Sequence, residues 1–558
     1  MVMDTLKPLR IAGVAACSLI AVATAIGQAA ASSSASAIAD VDKIFARWNS
    51  TSLPGCTVGI SRDGRSLLTR AYGMADLEHG IANQPDSIIE GGSLSKQFTA
   101  AAVLLLVQQG KVALDDPARK YLPELPDYGT PLTVRHMLTH TSGLRDWGSV
   151  EDIVGWPRTS RAYTHAHVLD IVSRQKALNF PPGSAYSYSN TGYNLAAILV
   201  ARVSGKGFAD FTREMLFEPL GMSRTSWRDD FTRVVRDRSI AYDVSGSGVT
   251  MDMPFENVHG NGGLLTTVGD LLKWNENAVH AKVGGRGLID LQRETMRLTG
   301  GEKIEYAFGL RVSSWKGVPE TSHSGSTAGY RAWLGQYPTK HLSVAVLCNA
   351  GNAPGTGLGH QVADLLLDLR PGPAVVESLP ALTDAQLREI SGLYRDRRRN
   401  DIMTIELQGG ELRAPGTGAL KPVAKDSFQS AAVRFDFDRD AKSLVRAARV
   451  TAAGEVIAFD RVEPAHPTPA DLTVFAGEYT SDEAELTLRV TVEDGKLVIH
   501  RRPDTKIPLT PTYADAFDGD LGGVRFVRNA KGSVTEMSVS QDRVWDLRFQ
   551  KAGRAGAR

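Results

Sequence analysis

The sequence predicts an α/β (α+β) unit over residues 38–372, followed by two small antiparallel β-barrel-like domains over 384–462 and 471–552. Three observations support this. Alternating apolar stretches with strand character lie at both ends of the first 370 residues and enclose an almost wholly apolar helix and a long middle segment. After a Pro-rich stretch the texture changes to short alternating strands with Gly-containing turns. Beyond that boundary the chain repeats itself.

Taken in order, Lys7 and Arg10 precede an apolar run from Ile11 to Gly27 that ends at Gln28-Ala29-Ala30-Ala31-Ser32. A positive start, an apolar core and small residues read as a secretory leader over 1–31, cleaved after Ala31 or, second, after Ala37. A retained anchor or lipidation at Cys17 are the alternatives, but the run is short for a membrane span. Asp40 to Trp48 reads as an amphipathic helix. Cys56 to Ser61 and Ser66 to Tyr72 flank Arg62-Asp63-Gly64-Arg65 and read as a hairpin. Phe98 to Gln109 is almost wholly apolar, the mark of a buried helix, and Gly110 suits its end. Gly325 to Pro338 and His341 to Ala350 read as two further strands, and Gln361 to Leu369 as a terminal helix. Residues 373–383 form a linker. Gly392, Tyr394, Gly410 and Leu412 then recur 85 residues later as Gly477, Tyr479, Gly495 and Leu497, and Val433-Arg434-Phe435 recurs as Val524-Arg525-Phe526. A second linker, 463–470, separates the copies. Arg395 to Arg399 is basic and reads as a solvated barrel loop.

At 558 residues the chain is too long for one core. Its formal net charge is +1, and it becomes neutral once Lys7, Arg10 and Asp4 leave with the leader, so nucleic acid is not an expected partner. No segment after the leader is long and apolar enough to cross a bilayer. Cys56 and Cys348 are too few for a disulfide framework or a zinc cluster. Each sits in an alternating apolar run and reads as a buried thiol; a Cys56–Cys348 bridge is the alternative for an exported protein.

Three distant motifs carry chemistry: Ser93-Leu94-Ser95-Lys96, Tyr188-Ser189-Asn190 and His323-Ser324-Gly325. A serine hydroxyl is a poor nucleophile near neutrality and needs a base and an oxyanion site. The first motif places an amine one helical turn from a hydroxyl. The second pairs a phenol with an amide, and the third follows an imidazole with a small residue and glycine. Ser313-Ser314-Trp315-Lys316 also fits Ser-x-x-Lys but lies in a strand-like stretch. Ser93 instead sits where Gly91-Gly92 gives way to the buried helix, whose burial would desolvate Lys96 and leave a basic amine. Only Tyr188 begins a Tyr-x-Asn, and only His323 a His-x-Gly. The set points to serine acyl transfer.

These motifs, together with Leu138-Thr139-His140-Thr141-Ser142-Gly143-Leu144 and Gly262-Gly263-Leu264, resemble the serine β-lactamase and penicillin-binding-protein superfamily, in its class C-like, esterase and D-aminopeptidase branch. The resemblance covers about residues 40–370. It implies a β-lactamase-like domain: an antiparallel sheet with flanking helices plus an all-helical subdomain. It further implies that Ser93 is acylated, that Lys96 and Tyr188 share the general-base role, and that Asn190 orients the substrate amide. His323 stands where many relatives carry the lysine of Lys-Thr-Gly, with Ser324 and Gly325 beside the substrate. The oxyanion hole would be the backbone N–H groups of Ser93 and Ser326. Two trailing barrels resemble the D-aminopeptidase layout.

A lysine is a constant cation suited to a substrate carboxylate, whereas histidine is only partly charged near neutrality. The exchange tilts the reading from β-lactams toward amides, peptides and esters. The expectation is therefore a periplasmic or secreted serine hydrolase acting on a small peptide, amide or ester, without cofactor or metal. A β-lactamase or short-chain carboxylesterase is the alternative enzyme. A non-catalytic receptor for wall fragments is the alternative of another class. His165-Ala166-His167 lacks ligands at zinc spacing, His140 reads as part of a turn, and the absence of Gly-x-Ser-x-Gly argues against an α/β-hydrolase.

Overall fold

The structure is a computed structural model that describes residues 40–369 and 382–553, apart from positions 247, 431, 432, 453 and 454. The leader and most of the first linker lie outside the described residues. The first unit is built on a six-stranded antiparallel sheet. Its strands are β1 (Cys56–Arg62), β2 (Arg65–Tyr72), β3 (Arg311–Trp315), β4 (Val318–Thr327), β5 (Tyr330–Tyr337) and β6 (Leu342–Cys348), in the order β3-β4-β5-β6-β1-β2. The N-terminal hairpin thus completes a sheet begun by the C-terminal strands, and everything between β2 and β3 is an insertion. The turn of that hairpin is Asp63-Gly64, both at positive φ (51° and 73°), the two-residue geometry whose twist matches its strands. The register sets Cys56 opposite Cys348 on neighbouring strands, and the two form a disulfide. The free-thiol expectation is therefore corrected. Alternation along a single strand cannot show which residue faces it from the next.

Gly325 to Pro338, expected as one strand, is two. The chain reverses at Ala328, which adopts φ 45°, and Gly329, where an added Cβ would lie 2.6 Å from the backbone of Tyr242.

The insertion contains α1 (Ser95–Gln108), α2 (Trp147–Val154), α3 (Asn190–Ser204) and α4 (Val268–His280); α5 (Gly355–Leu367) follows the sheet. The twelve residues of α1 from Ser95 to Leu106 are all buried, including the polar Ser95, Lys96, Gln97 and Thr99 of its first turns. Gly110, at φ 69°, ends the helix, and Lys111 N–H bonds back to the Leu106 carbonyl at 3.0 Å.

Each trailing domain is a closed eight-stranded antiparallel barrel, with strands spanning 392–462 and 477–551. The repeated Gly-x-Tyr has a physical reason. Gly392 and Gly477 take φ 149° and 148°, a region that favours glycine. Tyr394 and Tyr479 are fully buried, and each donates its hydroxyl to the carbonyl four residues earlier, Ile390 and Phe475. The second barrel shares one continuous buried apolar cluster with the helical subdomain, whereas the first keeps its own. Arg395 to Arg399 is not a solvated loop. Arg398 lies 4.9 Å over Trp545 and Arg399 bonds Asp542 at 2.8 Å, so the basic run joins the two barrels.

Candidate active site

Ser93 lies in a short 3-10 turn, Gly92–Leu94, that leads directly into α1 and places Lys96 on the first helical turn. Two of the recognised motifs brace it. The Ser95 hydroxyl donates to the Gly92 carbonyl at 2.6 Å and accepts from Leu264 N–H at 3.1 Å, and Gly91 N–H donates to the Leu264 carbonyl at 2.8 Å. On the other side His140, at φ 58°, accepts from Ser189 N–H on Nδ1 (3.1 Å) while its carbonyl accepts from Ser187 N–H (3.0 Å). Its ring packs 4.1 Å from that of Tyr188. The His-Thr-Ser-Gly segment is thus a turn that holds Tyr188 and Asn190 in place.

Lys96 is fully buried, and its Nζ has three neighbours: Ser93 Oγ at 3.0 Å, Asn190 Oδ1 at 2.9 Å and the Asn261 carbonyl at 2.7 Å. Burial holds its ammonium well below the usual lysine range; Arg543 pushes the same way, and Asp146 opposes. A neutral amine has two N–H bonds and one lone pair. Asn190 Oδ1 and the Asn261 carbonyl can only accept, so they take both hydrogens. The lone pair then faces the Ser93 hydroxyl. Tyr188 is raised by burial, against a hydrogen bond to Ser93 and the nearby Arg543, so it remains a neutral phenol.

His323, on β4, is buried. Its Nδ1 lies 2.6 Å from the Ser324 carbonyl, which can only accept, so Nδ1 carries the proton. Nε2 is then the acceptor, 2.9 Å from the Tyr306 hydroxyl. Burial takes its pKa down to about 3. Near neutral pH the imidazole is therefore neutral rather than partly charged. Since the folded value lies below the ordinary 6.5, the stability this residue contributes is present above about pH 6.5 and is lost as pH falls toward 3. The parent is therefore expected to lose more thermal stability between pH 7 and pH 4 than His323→Asn, as read by melting curves.

The far end of β4 approaches the serine turn through glycines. An added Cβ on Gly325 would lie 2.0 Å from the Gly91 carbonyl, and one on Gly92 would lie 2.7 Å from Ser326 N. Only without those carbons can the β4 backbone pack this closely against the serine turn. Gly325→Ala is expected to lower kcat by about 10²–10³-fold, the scale of a lost oxyanion donor. A retained circular dichroism spectrum would show that the fold survives.

Ser93, Tyr188, Asn190, His323, Ser324, Gly325 and Ser326 line one cavity of about 510 Å³. Lys96 is buried outside the lining and reaches it through Ser93 and Asn190. All the candidate residues are thus brought together. The sequence reading missed Asn261, Tyr306 and Arg543. Asn261 stands beside the Gly262-Gly263-Leu264 motif and could have been included with it; the other two carry no local signal. Arg543 comes from the second barrel. It sits in the turn between β7 (Val534–Gln541) and β8 (Val544–Lys551), and its guanidinium lies 5.0 Å from the Tyr188 ring. Its carbonyl is fixed by Asp146 N–H at 3.2 Å and Asn179 Nδ2 at 3.1 Å.

Residues 41–367 match the protein family described as Beta-lactamase. The chain belongs to that family and is a serine hydrolase of the β-lactamase and penicillin-binding-protein type. A D-aminopeptidase of Brucella anthropi is 25% identical over 508 residues, which cover 87% of this chain and 93% of that one, barrels included. Penicillin-binding protein 4* of Bacillus subtilis is 28% identical over 315 residues, 52% of this chain and 67% of its own. Among solved structures, the octameric penicillin-binding protein homologue from Pyrococcus abyssi superposes with a TM-score of 0.53 at 22% identity, covering 84% of this chain and 98% of that one.

Proposed function

We propose that this protein is an exported hydrolase that forms an acyl-enzyme on Ser93 and acts on amides and short peptides, including those with D-residues. The observation that carries this reading is the buried Lys96 Nζ, 3.0 Å from Ser93 Oγ and held by the Asn190 Oδ1 and Asn261 carbonyl acceptors. As Ser93 Oγ attacks the substrate carbonyl carbon, its proton passes to Lys96 Nζ. The oxyanion is held by the backbone N–H groups of Ser93 and Ser326, and Asn190 Nδ2, left free by the Oδ1 bond to Lys96, donates to the substrate amide. Tyr188 gives its proton to the departing amine and is reprotonated from Lys96, which returns the amine to its neutral state. Water then attacks the ester by the reverse relay, and the acid departs. Neutral His323 and Tyr306 wall the site without entering the proton path.

Amide substrates are favoured by the named relatives, a D-aminopeptidase among them, and by a D-amino acid amidase of similar fold (TM-score 0.50). Export is favoured by the leader-like N-terminus and by the disulfide, which persists in oxidising compartments. N-terminal sequencing of the mature protein tests it. The activity is tested by intact mass after reaction with an acylating agent, followed by turnover of a D-alanyl anilide, a short-chain ester and a cephalosporin. A mass adduct absent from Ser93→Ala, with preference for the anilide, is expected. Hydrolysis of every substrate by Ser93→Ala at the parent rate would overturn the mechanism, and preference for the ester or cephalosporin would move the substrate class.

A further inference from the structure

The cavity around Ser93 is lined by four arginines, Arg158, Arg311, Arg331 and Arg543, and by no aspartate or glutamate among the described residues. Two of the four are matched. Arg158 bonds Glu256, and Arg311 lies 3.4 Å from Glu305. Arg331 contacts the Ala328 and Tyr330 carbonyls. The carboxylate paired with Arg543 among the described residues is Asp542, at 3.6 Å, and it is mostly exposed and already bonded to Arg399 at 2.8 Å. Asp146, the carboxylate acting on Lys96 and Tyr188, is buried; it accepts from the backbone N–H groups of Gly148, Ser149 and Asn190 and does not line the cavity. Arg331 also feels the carboxylates of Asp252 and Asp243, so Arg543 is the weakly matched cation of the four. Arg331 pairs in register with Ser326 on β4, and Arg543 reaches over Tyr188.

A free substrate ammonium, as an aminopeptidase substrate carries, would meet positive charge in this cavity and find no counter-ion. A carboxylate would find a fork of donors. We propose that the substrate carries a carboxylate near the scissile amide and that Arg543, brought in by the second barrel, binds it. This rests on the Ser93 hydrolase reading above and narrows its substrate class to acidic amides and peptides. Neutral His323 withdraws one cation from the site, and Arg543 restores one on the opposite wall. The backbone bonds that fix the Arg543 carbonyl hold its turn still, so the guanidinium is presented from a rigid strand end.

The test compares four anilides: N-acetyl-D-alanine anilide (neutral), N-succinyl-D-alanine anilide (carboxylate on the acyl side), N-acetyl-D-alanine 4-carboxyanilide (carboxylate on the leaving side) and D-alanine anilide (ammonium). One carboxylate compound is expected to exceed both the neutral and the ammonium compound in kcat/KM by about tenfold or more, as charged hydrogen bonds allow. That advantage should fall with added salt, shrink in Arg543→Ala, persist in part in Arg543→Lys and invert in Arg543→Glu. Which carboxylate compound leads places the group on the acyl or the leaving side. Calorimetric binding to the Ser93→Ala protein reads the same preference without turnover. A carboxylate preference in binding without any hydrolysis would leave this proposal standing and count against the hydrolase reading. Preference for the ammonium compound, or a carboxylate advantage unchanged in Arg543→Glu, would overturn it.

Discussion

Lys96→Ala is expected to lower kcat/KM by about 10²–10⁴-fold, the range for a lost general base, with the protein still folded. Lys96→Arg should restore nothing, because a guanidinium stays protonated at any working pH. The reasoning is one of valence. With both amine hydrogens directed at Asn190 Oδ1 and the Asn261 carbonyl, the position works only while its nitrogen carries a lone pair. The parent should accordingly show an acid limb in its pH–rate profile, with activity rising as Lys96 deprotonates. That limb should lie well below the ordinary lysine range, because burial and Arg543 disfavour the ammonium. In Arg543→Ala the limb should move to higher pH, since one cation that depresses the lysine is gone. Lys96→Arg activity within tenfold of the parent would contradict this assignment.

The second large effect concerns the junction that brings Arg543 into the cavity. Arg145 and Glu483 form an ion pair across it, with the two side chains 2% and 9% exposed. Arg145 also donates to the Trp545 and Asp546 carbonyls, and Phe180 packs 5.0 Å from Trp545. Removing one partner of a buried pair leaves a charge without its counter-ion and costs about 3–5 kcal/mol. Glu483→Ala is therefore expected to lower the melting temperature by several degrees and to raise KM, as the β7–β8 turn loosens. Replacing both partners, Arg145→Met with Glu483→Leu, should recover most of the stability, since an apolar pair of similar volume has no charge to desolvate. A melting temperature for Glu483→Ala within a degree of the parent would show that the apolar cluster alone docks the barrel.

Much of this was legible in the chain. The Asp63-Gly64 hairpin, the buried helix ended by Gly110 and the repeated Gly-x-Tyr are local devices, in which a few adjacent residues meet one steric or hydrogen-bonding requirement. The Ser93, Tyr188 and His323 motifs were readable for the same reason, since each is short and keeps its order. What failed depended on neighbours far away in sequence. The cysteines looked like separate buried thiols because their pairing is set by the register of β1 against β6. Arg395 to Arg399 looked solvated because its partners, Trp545 and Asp542, are contributed by the other barrel. His323 looked partly charged because its titration is set by burial, which the residue name does not carry.

By itself the sequence determined the family, the layered domain followed by two barrels, and the serine, lysine, tyrosine and histidine of the site. These depend on short patterns read with their immediate context, as the strand-bound Ser313-Ser314-Trp315-Lys316 shows. The tertiary structure alone decided the protonation of Lys96 and His323, the disulfide and the entry of Arg543 into the cavity. Each of those depends on electrostatic and steric fields summed over groups that are distant along the chain and become neighbours only when it is folded.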